Sequence, residues 1–366
     1  MLTTFVSGVY DLRREKALLP TQIVFCFFQG VSMVLALPER MHTRFTQLMN
    51  IRYPLVQGGL SRLSYAELAA AVSNAGGLGQ IGCACFTTPG ELQTEIQKAR
   101  RLTSLPFGVN FPIGHIPLEP FLDAALEEAP AVISITGGNP APLLQRIQQS
   151  GVAVRTMVLV AGVRAARKAE SLGTDAVIAV GFEGGGHLGR DDIGTMVLTP
   201  RIVEAVSIPV LASGGIADGR GLVAALALGA SGVELGTRFV AVQESNAHPN
   251  YQHALVEASE SDTVILERSI GRPARVLNGP MAEKILQVET ELVQKGADAG
   301  ERLQSLLPFI LGTVNQRASL EGILDEGFVW AGQVVGLIHD IPTTREFIER
   351  TMREAWEITQ RLQTFF

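Results

Sequence analysis

The residues best placed to do chemistry lie in one run, Gly181-Phe182-Glu183-Gly184-Gly185-Gly186-His187-Leu188-Gly189. Imidazole can donate or accept a proton near neutrality, its unperturbed pKa being about 6.5. Glycines at 181, 184, 185, 186, 189 and 194 surround His187. Such a run reads as a flexible loop that carries a catalytic histidine over a ligand. Gly184–Gly189 has the letters of the dinucleotide fingerprint G-x-G-x-x-G, but Asp191-Asp192-Ile193-Gly194 follows where that motif needs a helix. Histidines 42, 115, 248, 253 and 339 have no comparable setting, and His115 is the second candidate.

Two more glycine clusters read as a phosphate cradle: Ser213-Gly214-Gly215 and Gly236-Thr237. Glycine lets backbone N–H groups approach an anion that a Cβ would block. Ser213 and Thr237 add hydroxyls. Gln57-Gly58-Gly59 and Asn110 end two other apolar runs, where an amide can donate and accept toward a flat ring. Cys83-Ala84-Cys85 lacks the spacing and partners of a zinc site and reads as structural. No metal site and no nucleophile elbow is legible.

Those clusters need a scaffold that brings strand ends together. Eight short apolar runs recur: 54–57, 78–82, 107–111, 131–136, 152–158, 176–180, 209–213 and 232–235. Amphipathic stretches separate them, at 65–74, 89–102, 118–128, 141–149, 162–172, 199–206 and 219–228. Continuous apolar strands mean a parallel sheet buried on both faces. Eight βα units in series predict a (β/α)8 TIM barrel over 41–240, whose chemistry sits at the strands' C-terminal ends. The rhythm then stops, predicting a mostly helical subdomain inserted after strand eight over 241–329. Residues 330–366 supply a final helix that closes on the barrel.

The chain has 366 residues, 46% apolar and 18% charged, with 30 basic against 36 acidic side chains, a net −6. That composition supports a large core and excludes wholesale disorder, and the acidic balance argues against nucleic acid. Three cysteines make no disulfide framework and suit a reducing, cytoplasmic setting. Residues 18–37 are apolar but broken by Pro20, Gln22, Gln29 and Gly30. Residues 1–40 are expected to be a non-native start or a targeting segment, with a structural extension as the remaining option. No membrane segment is expected after Met41.

In chain order, the QGG at 57–59, AGGLGQIG (75–82), PFGVNF (106–111), DAVIAVGFEGGGHLG (175–189), IPVLASGGIADGRG (208–221) and VELGTRFV (233–240) resemble the FMN-dependent nitronate monooxygenases. The resemblance spans Met41–Phe366. The same superfamily holds flavin-dependent enoyl-ACP reductases and NAD(P)H:quinone reductases. Gly236–Pro249 is similar to the enoyl reductase branch, and Trp330–Pro342 to the nitronate and quinone branch. The resemblance implies a TIM barrel with a helical domain and non-covalent FMN. Gln57, Gly58 and Asn110 would contact the flavin. Gly185, Ser213, Gly214, Gly215, Gly236 and Thr237 would hold its phosphate side, and His187 would sit by flavin and substrate. Val180 stands where the family often carries Gln, and Gly184 where it has Ala, so Val180 can offer only its backbone. The implied activity is oxidation of alkyl nitronates with dioxygen to a carbonyl compound and nitrite. The alternatives are quinone or enoyl-thioester reduction with NAD(P)H as a transient reductant, or a non-catalytic flavin-binding protein. The implied partner is a small-molecule substrate, with a homodimer possible. A barrel of the IMP-dehydrogenase kind needs a cysteine in the sixth loop, and Gly181–Gly194 has none.

Overall fold

Each apolar run forms a strand because branched and aliphatic side chains cover both of its faces. The structure, a computed structural model, describes residues 38–114 and 117–365. His115 and residues 1–37, including the apolar 18–37 stretch, lie outside the described residues. The strands are β1 (Leu55–Gln57), β2 (Gly79–Gly82), β3 (Phe107–Pro112), β4 (Val132–Thr136), β5 (Arg155–Val160), β6 (Ala176–Val180), β7 (Gly186–His187), β8 (Val210–Ser213), β9 (Gly232–Leu235), β10 (Thr263–Leu266) and β11 (Ala274–Leu277). Eight of them pair in parallel in the order β1-β9-β8-β6-β5-β4-β3-β2. A parallel bridge between Val56 and Leu78 joins the two ends. The fold is the TIM-barrel-like α/β architecture that the βα rhythm predicts.

Alternation along the strands sorts the two faces. Val56, Leu78, Val132, Met157, Ile178 and Leu211 form an inner cluster, sealed by Phe45 and Met49 of the helix Arg44–Met49. The opposite face of the strands, with residues such as Val109, Ile133, Val158 and Val177, packs on the surrounding helices. Those helices start and stop on local signals. Thr88 and Glu91 form a reciprocal capping box with Pro89 in the first turn, and the helix runs to Leu102. Leu92, Ile96 and Ala99, one helical turn apart, are its buried stripe.

Two of the barrel's βα elements run over other bounds than expected. The stretch expected to be helical over 199–206 is the helix Thr195–Val203, with Pro200 inside it. Its first turn is set from outside the segment, because the Glu183 carboxylate accepts from the Thr195 N–H at 2.9 Å. The fifth strand runs 155–160, not 152–158, since its pairing with β4 begins at Arg155 opposite Val132.

The region after β9 is mostly helical, with helices Pro249–Glu257, Pro280–Gln294, Ala299–Ile310 and Gly312–Ser319. Leu266, Val276, Ala282, Ile285, Leu306 and Phe328 make its own small core. It also contains a β-hairpin, β10–β11, whose inner strand pairs with β7. The last helix, Thr344–Gln363, is capped by Thr343 and Glu346 and packs on the helix Gly219–Ala227. Among the described residues no helix is long and apolar enough to cross a membrane.

Candidate active site

The loops after β6, β8 and β9 converge at one end of the barrel. Gly214 and Gly215 carry φ of +94° and +72°, a left-handed backbone that turns the chain sharply after Ser213. Thr195 fastens this turn to the sixth loop, donating its hydroxyl to the Gly214 carbonyl at 2.9 Å. A Cβ on Gly214 would come within 3.0 Å of the Gly181 carbonyl and 3.1 Å of the Gly184 nitrogen. Gly214 is therefore held by protein on that side, as well as by its backbone angle.

Gly236 differs. Its φ is −101°, so backbone conformation does not demand glycine. A Cβ there would meet nothing nearer than Leu60 Cδ2 at 3.9 Å. The space beside Gly236 is therefore open. Next to it the Thr237 hydroxyl accepts from the Gly332 N–H at 3.0 Å. A Cβ on Gly185 would lie 2.6 Å from that same Gly332 nitrogen, so the two glycine backbones pack directly on each other. Gly185, Gly214, Gly215, Gly236 and Thr237 are thus gathered together, with Val180 buried at the end of β6, where it pairs with Ser213.

The remaining sequence candidates form a polar layer inside the barrel. Gln57 is fully buried. Its Oε1 accepts from the Gln80 N–H at 2.8 Å, and its Nε2 donates to the Gly58 carbonyl. Asn110 Nδ2 donates to Ser134 Oγ at 2.9 Å, and Ser134 donates to Gln80 Oε1 at 2.5 Å. The side chains of Gln57 and Asn110 are therefore committed to a chain of internal hydrogen bonds. Ser213 donates its hydroxyl to Glu234 Oε2 at 2.9 Å. Glu234 is a buried acid on β9, and burial pushes its carboxyl up to about 7. Gly58 makes room for it, since a Cβ there would stand 3.2 Å from the carboxyl. Glu234, Gln80 and Ser134 escaped the sequence reading. An acid in the middle of a four-residue apolar strand was the available signal for Glu234.

His187 does not ride a flexible loop. It lies in β7, paired with Ala274 of β11, and Leu188 donates to the Pro273 carbonyl at 2.8 Å. Arg275 stacks 4.6 Å above the Phe182 ring and donates to the Phe182 carbonyl at 3.0 Å. A glycine-rich strand with few side chains of its own is held here by backbone pairing and by arginines reaching across from the insert. The His187 ring is half-exposed and lies 5.3 Å from the Trp330 ring. Its Nε2 is 3.4 Å from Arg272 Nη2 and 3.9 Å from Glu267 Oε2. Glu267 is buried with its backbone at φ +62°, and its Oε2 also lies 3.7 Å from Arg272 Nε. Glu267, Arg272 and Trp330 are remote in sequence and reach His187 only through the β7–β11 pairing. The cysteines near β2 match the structural reading: burial pushes the Cys83 thiol far up and the Cys85 thiol up to about 12, so neither is a reactive thiolate.

The chain is an oxidoreductase on a TIM-barrel-like α/β fold, with glycine-rich loops after β6, β8 and β9. The nitronate monooxygenase family model matches residues 42–118 and 115–354, and the chain belongs to that family. Its members are flavin-dependent enzymes that act on small molecules. Among relatives, the chain is 32% identical to a probable nitronate monooxygenase of Staphylococcus saprophyticus, over 88% of this chain and 100% of the relative. It is also 32% identical to a (3aS,4S,5R,7aS)-5-hydroxy-7a-methyl-1-oxo-octahydro-1H-indene-4-carboxyl-CoA dehydrogenase of Rhodococcus jostii, over 86% and 96%. Among solved structures, FabK from Thermotoga maritima superposes with a TM-score of 0.80 at 39% identity, covering 89% of this chain and all of that one.

Proposed function

We propose that this chain is an FMN-dependent nitronate monooxygenase that oxidises alkyl nitronates with dioxygen to a carbonyl compound and nitrite. The observation that carries the substrate class is the pairing of His187 with Arg272 at 3.4 Å. A permanent cation beside a proton-handling ring suits a small anion whose charge is spread over two oxygens. Trp330 walls the histidine on one side and limits its range of orientations.

The residues present fit FMN. The open space beside Gly236 accepts a phosphate, and the Gly214–Gly215 turn and Thr237 border it. When bound, FMN supplies the electron-accepting ring. The protein's own contribution is position and charge. Val180 and the polar layer of Gln80, Asn110 and Ser134 form the floor of the mouth, and His187 with Arg272 orients the substrate oxygens. A neutral nitroalkane must lose its α-proton before it can react, and His187 is the group placed to take it.

A thioester-directed reaction with NAD(P)H is the second reading. It is favoured by the likeness of Gly236–Pro249 to the enoyl reductase branch and by the Rhodococcus relative, which acts on a CoA ester. One panel separates the two readings. The purified yellow protein is assayed with propyl nitronate plus dioxygen, and in parallel with NADH plus a quinone or an enoyl-CoA. Nitrite release without NADH supports the nitronate reading. NADH consumption without nitrite release supports the second.

A further inference from the structure

Among the described residues, Glu234 is an ionisable group inside the barrel that the proposed reaction does not use. Glu234 occupies an inward position of β9, two residues before Gly236. It is 5% exposed, and its hydrogen-bond partner is the Ser213 hydroxyl. Small uncharged residues approach it from both sides, Gly58 just past β1 and Ser213 of β8. Burial alone drives its carboxyl upward, with no charged neighbour contributing. Charged groups of the neighbouring loops have partners of their own. Glu183 accepts from Thr195, Arg275 donates to the Phe182 carbonyl, and His187 lies against Arg272. Arg238, next along the same segment, is bound to Asp340 on the outside of the barrel.

We propose that Glu234 couples cofactor binding to proton uptake: FMN enters with its phosphate in the space beside Gly236, and Glu234 takes a proton from solvent as it does so. The inference rests on the FMN reading above. A doubly charged phosphate beside Gly236 would stand two residues along the chain from Glu234, at the same end of β9. With no cation beside Glu234, an ionised carboxylate would oppose the phosphate in a medium of low dielectric. A protonated carboxyl is neutral there and can itself donate a hydrogen bond. Burial holds the Glu234 carboxyl up at about 7, so above that pH FMN binding would draw a proton from the solution.

The test measures FMN affinity from pH 6 to 9 on full-length protein stripped of flavin, for wild type and Glu234→Gln. Gln keeps the size and an acceptor for Ser213 but cannot ionise. The wild-type Kd is expected to rise about tenfold per pH unit above pH 8 relative to the variant. Calorimetry in two buffers of different ionisation enthalpy, at pH 8, should show wild-type uptake of about one proton per FMN, absent in Glu234→Gln. If both proteins bind FMN with the same pH profile, Glu234 is not the coupled group and the inference is overturned. Should the variant fail to fold, wild-type binding at pH 8 without proton uptake overturns it equally. A wild type that binds no FMN at any pH overturns the cofactor reading itself, which is a different failure.

Discussion

His187→Asn leaves the backbone bonds between β7 and β11 in place, so FMN binding and the melting temperature should hold. Turnover of neutral nitroalkane should fall by about 10²–10⁴-fold, because the base is gone. Turnover of pre-ionised nitronate should fall less and mainly through KM, since Asn still offers a hydrogen bond. Equal rates on both substrates in wild type and variant would remove His187 from the chemistry. The glycines allow a sharper contrast. Gly236→Ala places a methyl group in open space and should weaken FMN on the order of tenfold or more, with little change in stability. Gly214→Ala has to adopt φ near +94° against the Gly181 carbonyl, so it should lower stability by about 1–3 kcal/mol before any effect on FMN. Thermal melts and flavin titrations on both variants check the pair. From the sequence alone, His187 stands out by its glycine setting, and the glycine clusters at 213–215 and 236–237 by their order after apolar runs. The sequence could not show Glu267, Arg272 or Trp330, because their approach to His187 depends on a strand pairing between segments nearly ninety residues apart.

Strand β9 makes the second scale concrete. Its Glu234 is raised from an ordinary carboxyl value to about 7 by burial alone. A group whose folded pKa is raised stabilises the fold fully below its unfolded pKa, and that contribution is lost as pH rises through the folded value. For flavin-free protein, wild type and Glu234→Gln should therefore be equally stable near pH 4.5. The variant should be the more stable by about 3 kcal/mol at pH 8, where the wild type carries a buried carboxylate. Denaturant melts at the two pH values test this, and equal stabilities at pH 8 would contradict the burial account. Periodicity located most elements because the barrel strands are short and largely apolar and the helices carry a buried stripe. It misplaced the helix Thr195–Val203 because Pro200 looks like a start, whereas Glu183 from the preceding loop sets the first turn. The glycine-rich strand β7 was read as a loop for a similar reason: its partner, β11, lies far along the chain.

Across the whole molecule, the barrel and the insert each supply what the other lacks. The barrel ends bring the glycine-rich loops after β6, β8 and β9 together. The insert contributes β11, Arg272 and Arg275, which hold and flank the histidine-bearing strand. The barrel was legible because βα units repeat eight times. The hairpin inside the insert was not, since its short strands are outnumbered by helices. These parts meet at the barrel mouth, where His187 and Arg272 would orient a small anion against the proposed flavin, which would supply the electron-accepting ring. The most direct measurement mixes the flavin-loaded protein anaerobically with propyl nitronate and follows the flavin's visible absorbance. The account predicts rapid loss of that absorbance without any pyridine nucleotide, slowed in Arg272→Met. A flavin that stays oxidised with nitronate, yet bleaches at once on adding NADH, would contradict it.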